Sequence, residues 1–148
     1  MATEPQNRCE FESEKLLLKL NLSIPGDPNA ITPLVDGVMT IAAQMQCAQG
    51  KEFEIETSLR EALANAVRHG CGNDPSRSVE CSVMCDETRG MLIVIRDPGP
   101  GFDPGSIPSP VVGQNVFSEH GRGIYLISQL MDEVRFERGG TEIHMRKG

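Results

Sequence analysis

Hydrophobic residues recur along this chain with two different periods, and each period predicts a different kind of element. Alternation within residues 16–24, regular from Leu18 onward, predicts a strand with one buried face. Apolar residues at helical spacing predict an amphipathic helix over residues 31–45 and another from Phe53 to His69. Gly70 follows the second helix, and glycine at that point is typical of a helix end that needs a left-handed residue.

A proline restricts where the first of these helices can begin. Pro33 fits a helix only within the first turn, because it has no amide hydrogen to donate to the preceding turn. Asp27 and Thr32 both have side chains that can cap a helix start. The pattern leaves both positions open as the cap.

Shorter patterns in the second half of the chain predict four strands and one further helix. The strands are expected at residues 79–85, 91–95, 134–137 and 141–145, and the helix at residues 123–131. The segment 103–120 is rich in Pro, Gly and Ser, and loops of that length are usually functional or mobile. This order predicts an α/β (α+β) fold, a two-layer sandwich of a mixed, mostly antiparallel sheet with helices on one face.

One predicted strand is apolar at every position, from Met91 to Ile95. A strand with this pattern is buried on both of its faces. The sheet face away from the helices is therefore expected to be covered, either by a second copy of the chain or by other parts of the same chain.

The charge balance narrows the range of partners. Asp and Glu number 21 against 14 Lys and Arg, which gives a net charge of -7. Such a surface repels nucleic acid and anionic membranes and favours a protein or a small ligand as partner. No leader pattern and no apolar run of about 18 residues is present, so a cytoplasmic protein is predicted. Residues 1–13 are polar and predicted to be a flexible tail, followed by a single domain at 14–148.

The five cysteines are odd in number and irregularly spaced. This argues against a disulfide scaffold and favours a reducing compartment. Cys47, Cys81 and Cys85 are expected to be small buried apolar residues. Cys71 falls in a loop beside the motifs described in the next paragraph, and it is the one cysteine whose reactivity merits a test.

Three spaced motifs carry the candidate chemistry. The apolar strand ends in Asp97-Pro98-Gly99-Pro100-Gly101, a carboxylate at a strand exit beside two glycines that allow a ligand to approach the backbone. One face of the upstream helix, opposite its apolar stripe, is polar and carries Glu61, Asn65 and Arg68. Downstream, Gly121-Arg122-Gly123 opens the next predicted helix. The combination and order of these motifs indicate an ATP site.

The three motifs resemble the N, G1 and G2 boxes of the GHKL ATPase superfamily, which includes gyrase and histidine kinases. Within it, residues 16–146 are most similar to the bacterial anti-sigma factor serine/threonine kinases. The resemblance implies the Bergerat ATP-binding fold, with an ATP lid at about residues 103–120. Histidine kinases commonly have Asn where this chain has Glu61.

The resemblance assigns roles at the base and metal end of the site. Asn65 resembles the Mg²⁺ ligand, since its amide oxygen is a hard donor that this cation accepts. Asp97 resembles the adenine reader, because a carboxylate accepts the exocyclic amino proton of adenine but repels the oxygen of guanine. Thr141 resembles a hydroxyl that supports this contact through water, and Gly99 and Gly101 leave room for base and ribose.

The resemblance also assigns roles at the phosphate end. Gly121 and Gly123 present backbone amides to phosphate at a helix start, where the dipole favours anions. Arg68 and Arg122 can each reach a phosphate. Glu61 resembles the general base that deprotonates an attacking hydroxyl, which is water in the ATPases and a protein serine in the kinases.

These roles imply a homodimeric serine/threonine-protein kinase that uses ATP and Mg²⁺. Its implied substrate is an anti-sigma factor antagonist, and a sigma factor is the implied second partner in the ATP-bound state. The alternative is a nucleotide-gated protein-binding module with little or no kinase activity. A third hypothesis is a detached ATPase piece of a larger assembly.

Overall fold

The computed structural model describes residues 16–101 and 119–148. The strands are β1 (Leu16–Pro25), β2 (Ser78–Asp86), β3 (Gly90–Arg96), β4 (Glu133–Glu137) and β5 (Glu142–Lys147). The helices are α1 (Ile31–Gln44), α2 (Glu52–Asn65) and α3 (Glu119–Leu130). The predicted N-terminal tail and nearly all of the predicted lid lie outside the described residues. Within the described part of the chain, no helix is both long and apolar enough to cross a bilayer.

The five strands form a single sheet in the order β1-β2-β3-β5-β4. Each of the four neighbouring pairs is antiparallel. Alternate residues pack against the helices on one face, with Val83 opposite Ile93 and Ile93 opposite Met145. Because one face carries the helices, the predicted two-layer α/β fold class is confirmed, and the described sheet is antiparallel throughout where a mixed, mostly antiparallel sheet was predicted.

Helix α2 lies in the middle of the helical layer and contacts α1, α3, β3 and β5. Its apolar stripe is fully buried, with Ile55, Leu59 and Leu63 at 0% exposure. Burying side chains of this size stabilises the fold by about 1.5–3 kcal/mol each relative to exposure. The opposite side of α2 is thereby held in place next to α3 and the end of β3.

The sheet face away from the helices is covered within a single chain, at least at its centre. Leu92 points to this face and is only 2% exposed. Its register neighbours on β2 and β5 are Met84 and Arg146, whose long side chains flank it. Further out, Arg146 pairs with Glu133 at 2.7 Å. Of the two alternatives for covering the apolar strand, burial of Leu92 within one chain favours coverage by the same chain.

The entry into α1 separates the two candidate caps. Asp27 accepts a hydrogen bond from the amide of Asn29 at 2.9 Å and caps a short 3₁₀ turn at Pro28–Ala30. Helix α1 continues from that turn, so Pro33 falls in its first turn as predicted. Thr32 instead accepts a hydrogen bond from Arg60 of α2 at 2.9 Å. Asp27 is therefore the cap of this region.

The structure corrects the prediction for two of the cysteines. Cys47, just after α1, and Cys85, near the end of β2, are joined by a disulfide with their Cα atoms 6.0 Å apart. Cys81 is a free thiol at 1% exposure, as expected of a small buried residue. Burial raises its pKa to about 12. The disulfide ties the α1–α2 connection to the sheet.

Candidate functional site

Two adjoining cavities lie beside α2. The first has a volume of about 280 Å³, and its wall is mainly apolar, formed by Ala62, Ala66, Ile95, Pro100, Ile124, Phe136 and Ile143. The second has a volume of about 330 Å³ and is lined by polar side chains together with Ala64, Gly123 and Leu126. Asn65 lines both. Clefts of roughly 300–1,000 Å³ with an apolar wall and few polar groups are typical of small-molecule sites.

Eight of the ten predicted site residues line these cavities. The first cavity contains Asn65, Asp97, Gly101 and Thr141. The second contains Glu61, Asn65, Arg68, Arg122 and Gly123. The predicted base-reading residues therefore lie on the apolar side, and the predicted phosphate and acid–base residues lie on the polar side. Gly99 and Gly121 are outside both linings.

Asp97 is fixed at the exit of β3 by its backbone and by its side chain. Its amide donates to the carbonyl of Thr141 at 2.9 Å. Its Oδ1 accepts the amide of Gly99 at 2.8 Å, which leaves Oδ2 as the oxygen available to a ligand. Burial raises the pKa of Asp97, and the Gly99 hydrogen bond opposes that rise.

A wide turn separates α2 from the loop that follows it. The α-helix ends at Asn65, and residues Ala66–Gly70 continue as a single π-helical turn. Such turns often occur at functional sites, since they redirect the side chains around them. The predicted left-handed end at Gly70 is wrong, because the left-handed residues are Gly72 at φ 62° and Asn73 at φ 58°.

Gly70 is needed for a steric reason that the sequence pattern did not indicate. A Cβ at this position would overlap the carboxylate of Asp97. Gly99 has a similar requirement, since its Cβ would lie 2.6 Å from the Cα of Gly70. The two glycines therefore let the loop after β3 pack directly on the end of α2. The sequence spacing around Gly70 and Gly99 does not predict this contact.

We expect Gly70→Ala to lower the free energy of unfolding by about 1–3 kcal/mol, because the methyl group displaces the Asp97 side chain. Gly37→Ala is the matched control, since Gly37 lies inside α1 with no heavy atom within 4 Å of the added Cβ. That control is expected to stabilise the protein by about 0.5–1 kcal/mol. Guanidinium denaturation of both variants measures the difference. A Gly70→Ala protein as stable as the wild type would contradict the packing described here.

Glu61 and Asn65 lie one turn apart on α2 and both face Gly123 of α3. A Cβ on Gly123 would lie 2.9 Å from Oε2 of Glu61 and 3.3 Å from Nδ2 of Asn65. The described part of α3, Glu119–Leu130, already includes Gly121 and Gly123, whereas the sequence predicted a helix start at residue 123. Gly123 thus allows α3 to approach the polar face of α2 closely.

The turn between β4 and β5 contributes Thr141 to the lining of the first cavity. Gly101, at φ 74°, lies against this turn, because a Cβ there would overlap the carbonyl of Gly139. Thr141 is the residue before β5 rather than part of the strand, and its hydroxyl donates to the carbonyl of Arg138 at 2.8 Å. The hydroxyl oxygen keeps the ability to accept a hydrogen bond from a water molecule.

Cys71 lies directly after the π turn and is 3% exposed. Burial, followed by the negative charge of Asp97, raises the pKa of its thiol. Both effects disfavour the reactive thiolate, so the structure gives no support for Cys71 as a reactive cysteine.

The side chains that the structure describes at this site offer an oxygen ligand for a metal ion but not a complete ligand set. Among residues 16–101 and 119–148, no three His, Cys, Asp or Glu side chains cluster closely enough to hold a metal ion. Asn65 lines the junction of the two cavities, where an amide oxygen can serve as one hard ligand. The arrangement therefore fits Mg²⁺ held mainly by phosphate oxygens and water.

Known proteins are similar to this chain over most of its length. A family model described as histidine kinase-like ATPase domain matches residues 24–147. Serine-protein kinase RsbW of Bacillus subtilis is 27% identical over 137 residues, covering 86% of this chain and 84% of that protein. Anti-sigma F factor of Bacillus cytotoxicus is 32% identical over 115 residues, covering 74% and 78% respectively. Anti-sigma F factor of Geobacillus kaustophilus is 31% identical over 116 residues, also covering 74% and 78%.

Proposed function

Because the chain belongs to the family of histidine kinase-like ATPase domains, we propose that ATP binds across the two cavities. The base occupies the apolar cavity next to Asp97, and the phosphates extend past Asn65 into the polar cavity. The observation that carries this proposal is that Asn65 lines both volumes, with the carboxylate of Asp97 on one side and the guanidinium groups of Arg68 and Arg122 on the other.

Each residue at the phosphate end has a role in this proposal. Arg68 and Arg122 neutralise phosphate charge, and Gly121 lies in the first described turn of α3, where the helix dipole favours anions. Mg²⁺, when bound, neutralises charge on the phosphate oxygens and orients them. Asn65 coordinates that cation through its amide oxygen.

We propose further that the protein is a serine/threonine kinase of the anti-sigma factor type. Glu61 lies on the polar side of Asn65, within the cavity assigned to the phosphates, where its carboxylate can accept the proton of an attacking hydroxyl. The relatives named serine-protein kinase and anti-sigma F factor support this class. The substrate is an anti-sigma factor antagonist, and a sigma factor is the second partner.

To test the kinase proposal, the protein is mixed with labelled ATP, Mg²⁺ and candidate antagonist proteins. The measurement is the amount of label transferred to each candidate. Tight ATP binding without transfer to any candidate would leave a nucleotide-gated binding module. A cytoplasmic location and a homodimer complete the proposal. Sedimentation of the purified protein at several concentrations tests the dimer.

Asp97→Asn is expected to raise the dissociation constant of ATP by about 10- to 100-fold. The Gly99 amide would hold the amide oxygen of the new side chain, so that its NH₂ group meets the amino group of adenine, donor against donor. The same NH₂ group can donate to the oxygen of guanine. Isothermal titration with ATP and GTP should therefore show ATP affinity falling while GTP affinity does not.

Asp74→Asn is the matched control. Asp74 forms the same local turn, its Oδ1 accepting the amide of Ser76 at 2.9 Å, but it is exposed and lines neither cavity. ATP affinity should be unchanged in that variant. Equal loss of ATP and GTP binding in Asp97→Asn would instead indicate general disruption of the loop.

A further inference from the structure

Glu142 is a buried carboxylate that contacts nitrogen-bearing side chains from three segments. It is 6% exposed, although it lies on the sheet face away from the helices. Its Oε2 accepts Nε of Arg96 at 2.7 Å and lies 3.2 Å from Nε of Arg138. Its Oε1 lies 2.7 Å from Nε2 of His144. These four residues are called the Glu142 cluster below.

The cluster does not touch either cavity, but the residues next to its members do. Asp97 follows Arg96, Thr141 precedes Glu142, and both line the first cavity. The backbone joins these two residues as well, since the amide of Asp97 donates to the carbonyl of Thr141. Glu142 can therefore affect a bound base through the backbone positions of its neighbours.

The third segment of the cluster is held in an unfavourable conformation. Arg138 has φ 53°, a left-handed value that costs energy for a residue with a side chain. In addition to the contact of its side chain with Glu142, the carbonyl of Arg138 accepts a hydrogen bond from the hydroxyl of Thr141 at 2.8 Å. The next residue, Gly139, supplies the carbonyl against which Gly101 packs. Arg138 thus connects the cluster to the wall of the first cavity.

The charge of Glu142 is maintained despite its burial. Burial acts to raise its pKa, but the hydrogen bonds to Arg96 and His144 outweigh that effect, and the pKa is lowered. The carboxylate is therefore ionised at neutral pH. A neutral side chain of the same shape would lose charge-assisted contacts to β3, to the turn and to β5 at once.

We propose that Glu142 is a positioning residue for nucleotide recognition, which holds Asp97, Thr141 and the turn at Arg138 in the geometry that reads the base. This rests on the proposed ATP site. The ion pairs tie the exit of β3 to the β4–β5 turn from behind the sheet, and their shared carboxylate is buried although both arginine side chains are partly exposed. Base recognition needs this rigidity, because a hydrogen-bonding edge displaced by about 1 Å no longer meets its partner in good geometry.

The test compares Glu142→Gln with Glu133→Gln, which neutralises a carboxylate on the same sheet face. Glu133 binds Nε of Arg146 at 2.7 Å and lies near the opposite end of β5. We expect the dissociation constant of ATP to rise about tenfold in Glu142→Gln and to change less than about twofold in Glu133→Gln. The preference for ATP over GTP should fall only in Glu142→Gln. Melting temperatures without nucleotide measure the general loss of stability in each variant.

A second variant guards against misfolding. Arg96 is half exposed, so Arg96→Gln removes one contact of the cluster without leaving a deeply buried cation unpaired. It should weaken ATP binding in the same direction, and the double variant with Glu142→Gln should be weaker by less than the sum of the two single effects. Equal ATP affinity in Glu142→Gln and Glu133→Gln, or additive effects in the double variant, would refute the role of Glu142. Absence of ATP binding in the wild type would refute the proposed function itself.

Discussion

Replacing Glu61 with glutamine is expected to slow phosphate transfer from ATP to the protein substrate by about 10²- to 10⁴-fold, with ATP affinity unchanged. Glutamine has the same shape, so the close contact with Gly123 is kept, but its amide cannot accept the proton of the attacking hydroxyl. Transfer of labelled phosphate in the presence of Mg²⁺ measures the rate, and nucleotide titration measures affinity.

Glu56→Gln provides the control for that experiment. Glu56 lies on the same helix, 3.8 Å from Arg60, and lines neither cavity. Its neutralisation should leave both transfer and affinity near the wild-type values, since an exposed pair of this kind contributes about 0.3–0.5 kcal/mol. If Glu61→Gln weakened ATP binding as much as transfer, Glu61 would be a structural residue of the cavity.

Reducing the Cys47–Cys85 disulfide is expected to lower the free energy of unfolding by about 4 kcal/mol. The bond joins residues 38 apart in sequence, and a cross-link over that span restricts the unfolded chain far more than the folded one. The α1–α2 connection and β2 would be held together only by packing afterwards. Guanidinium unfolding with and without a phosphine reductant measures the loss.

Cys47→Ser separates this effect from other actions of the reductant. Cys47 is the more exposed partner, so serine there leaves no deeply buried hydroxyl, whereas Cys85 is only 2% exposed. The variant should unfold at the lower denaturant concentration with or without reductant. In the wild type, denaturation without reductant should expose two fewer reactive thiols than denaturation with it. An equal thiol count would contradict the disulfide.

The cysteines show which kind of contact a sequence pattern does not predict. An odd count at irregular spacing argues against a framework of several bridges, and among the four cysteines that the structure describes one bridge forms and two thiols are free. The count carries no information on whether two particular cysteines meet. Cys47 and Cys85 come together because the connection after α1 meets the end of β2, a contact between residues 38 apart in sequence.

Most residues of the candidate site could be predicted from local features of the sequence. Helical spacing alone predicts that Glu61, Asn65 and Arg68 share one face, and all three line the polar cavity, although Arg68 lies in the π-helical turn after α2. The resemblance to GHKL ATPases, carried by three short motifs, agrees with the family model that matches residues 24–147. The roles assigned to the individual residues remain predictions for the experiments above.

Periodicity and turn residues encoded the order of strands and helices, the burial of the α2 stripe and the polar face that carries Glu61, since each depends on neighbours a few residues apart. The meeting of Gly70 with Asp97, the disulfide and the Glu142 cluster depends on distant segments packing together. Arg96 and Glu142 look like ordinary exposed charges in the linear chain, and they become partners only because β3 and β5 are adjacent and in register. Side-chain period follows from bond geometry along one segment, whereas long-range contacts follow from how whole segments fill space, which no short pattern records.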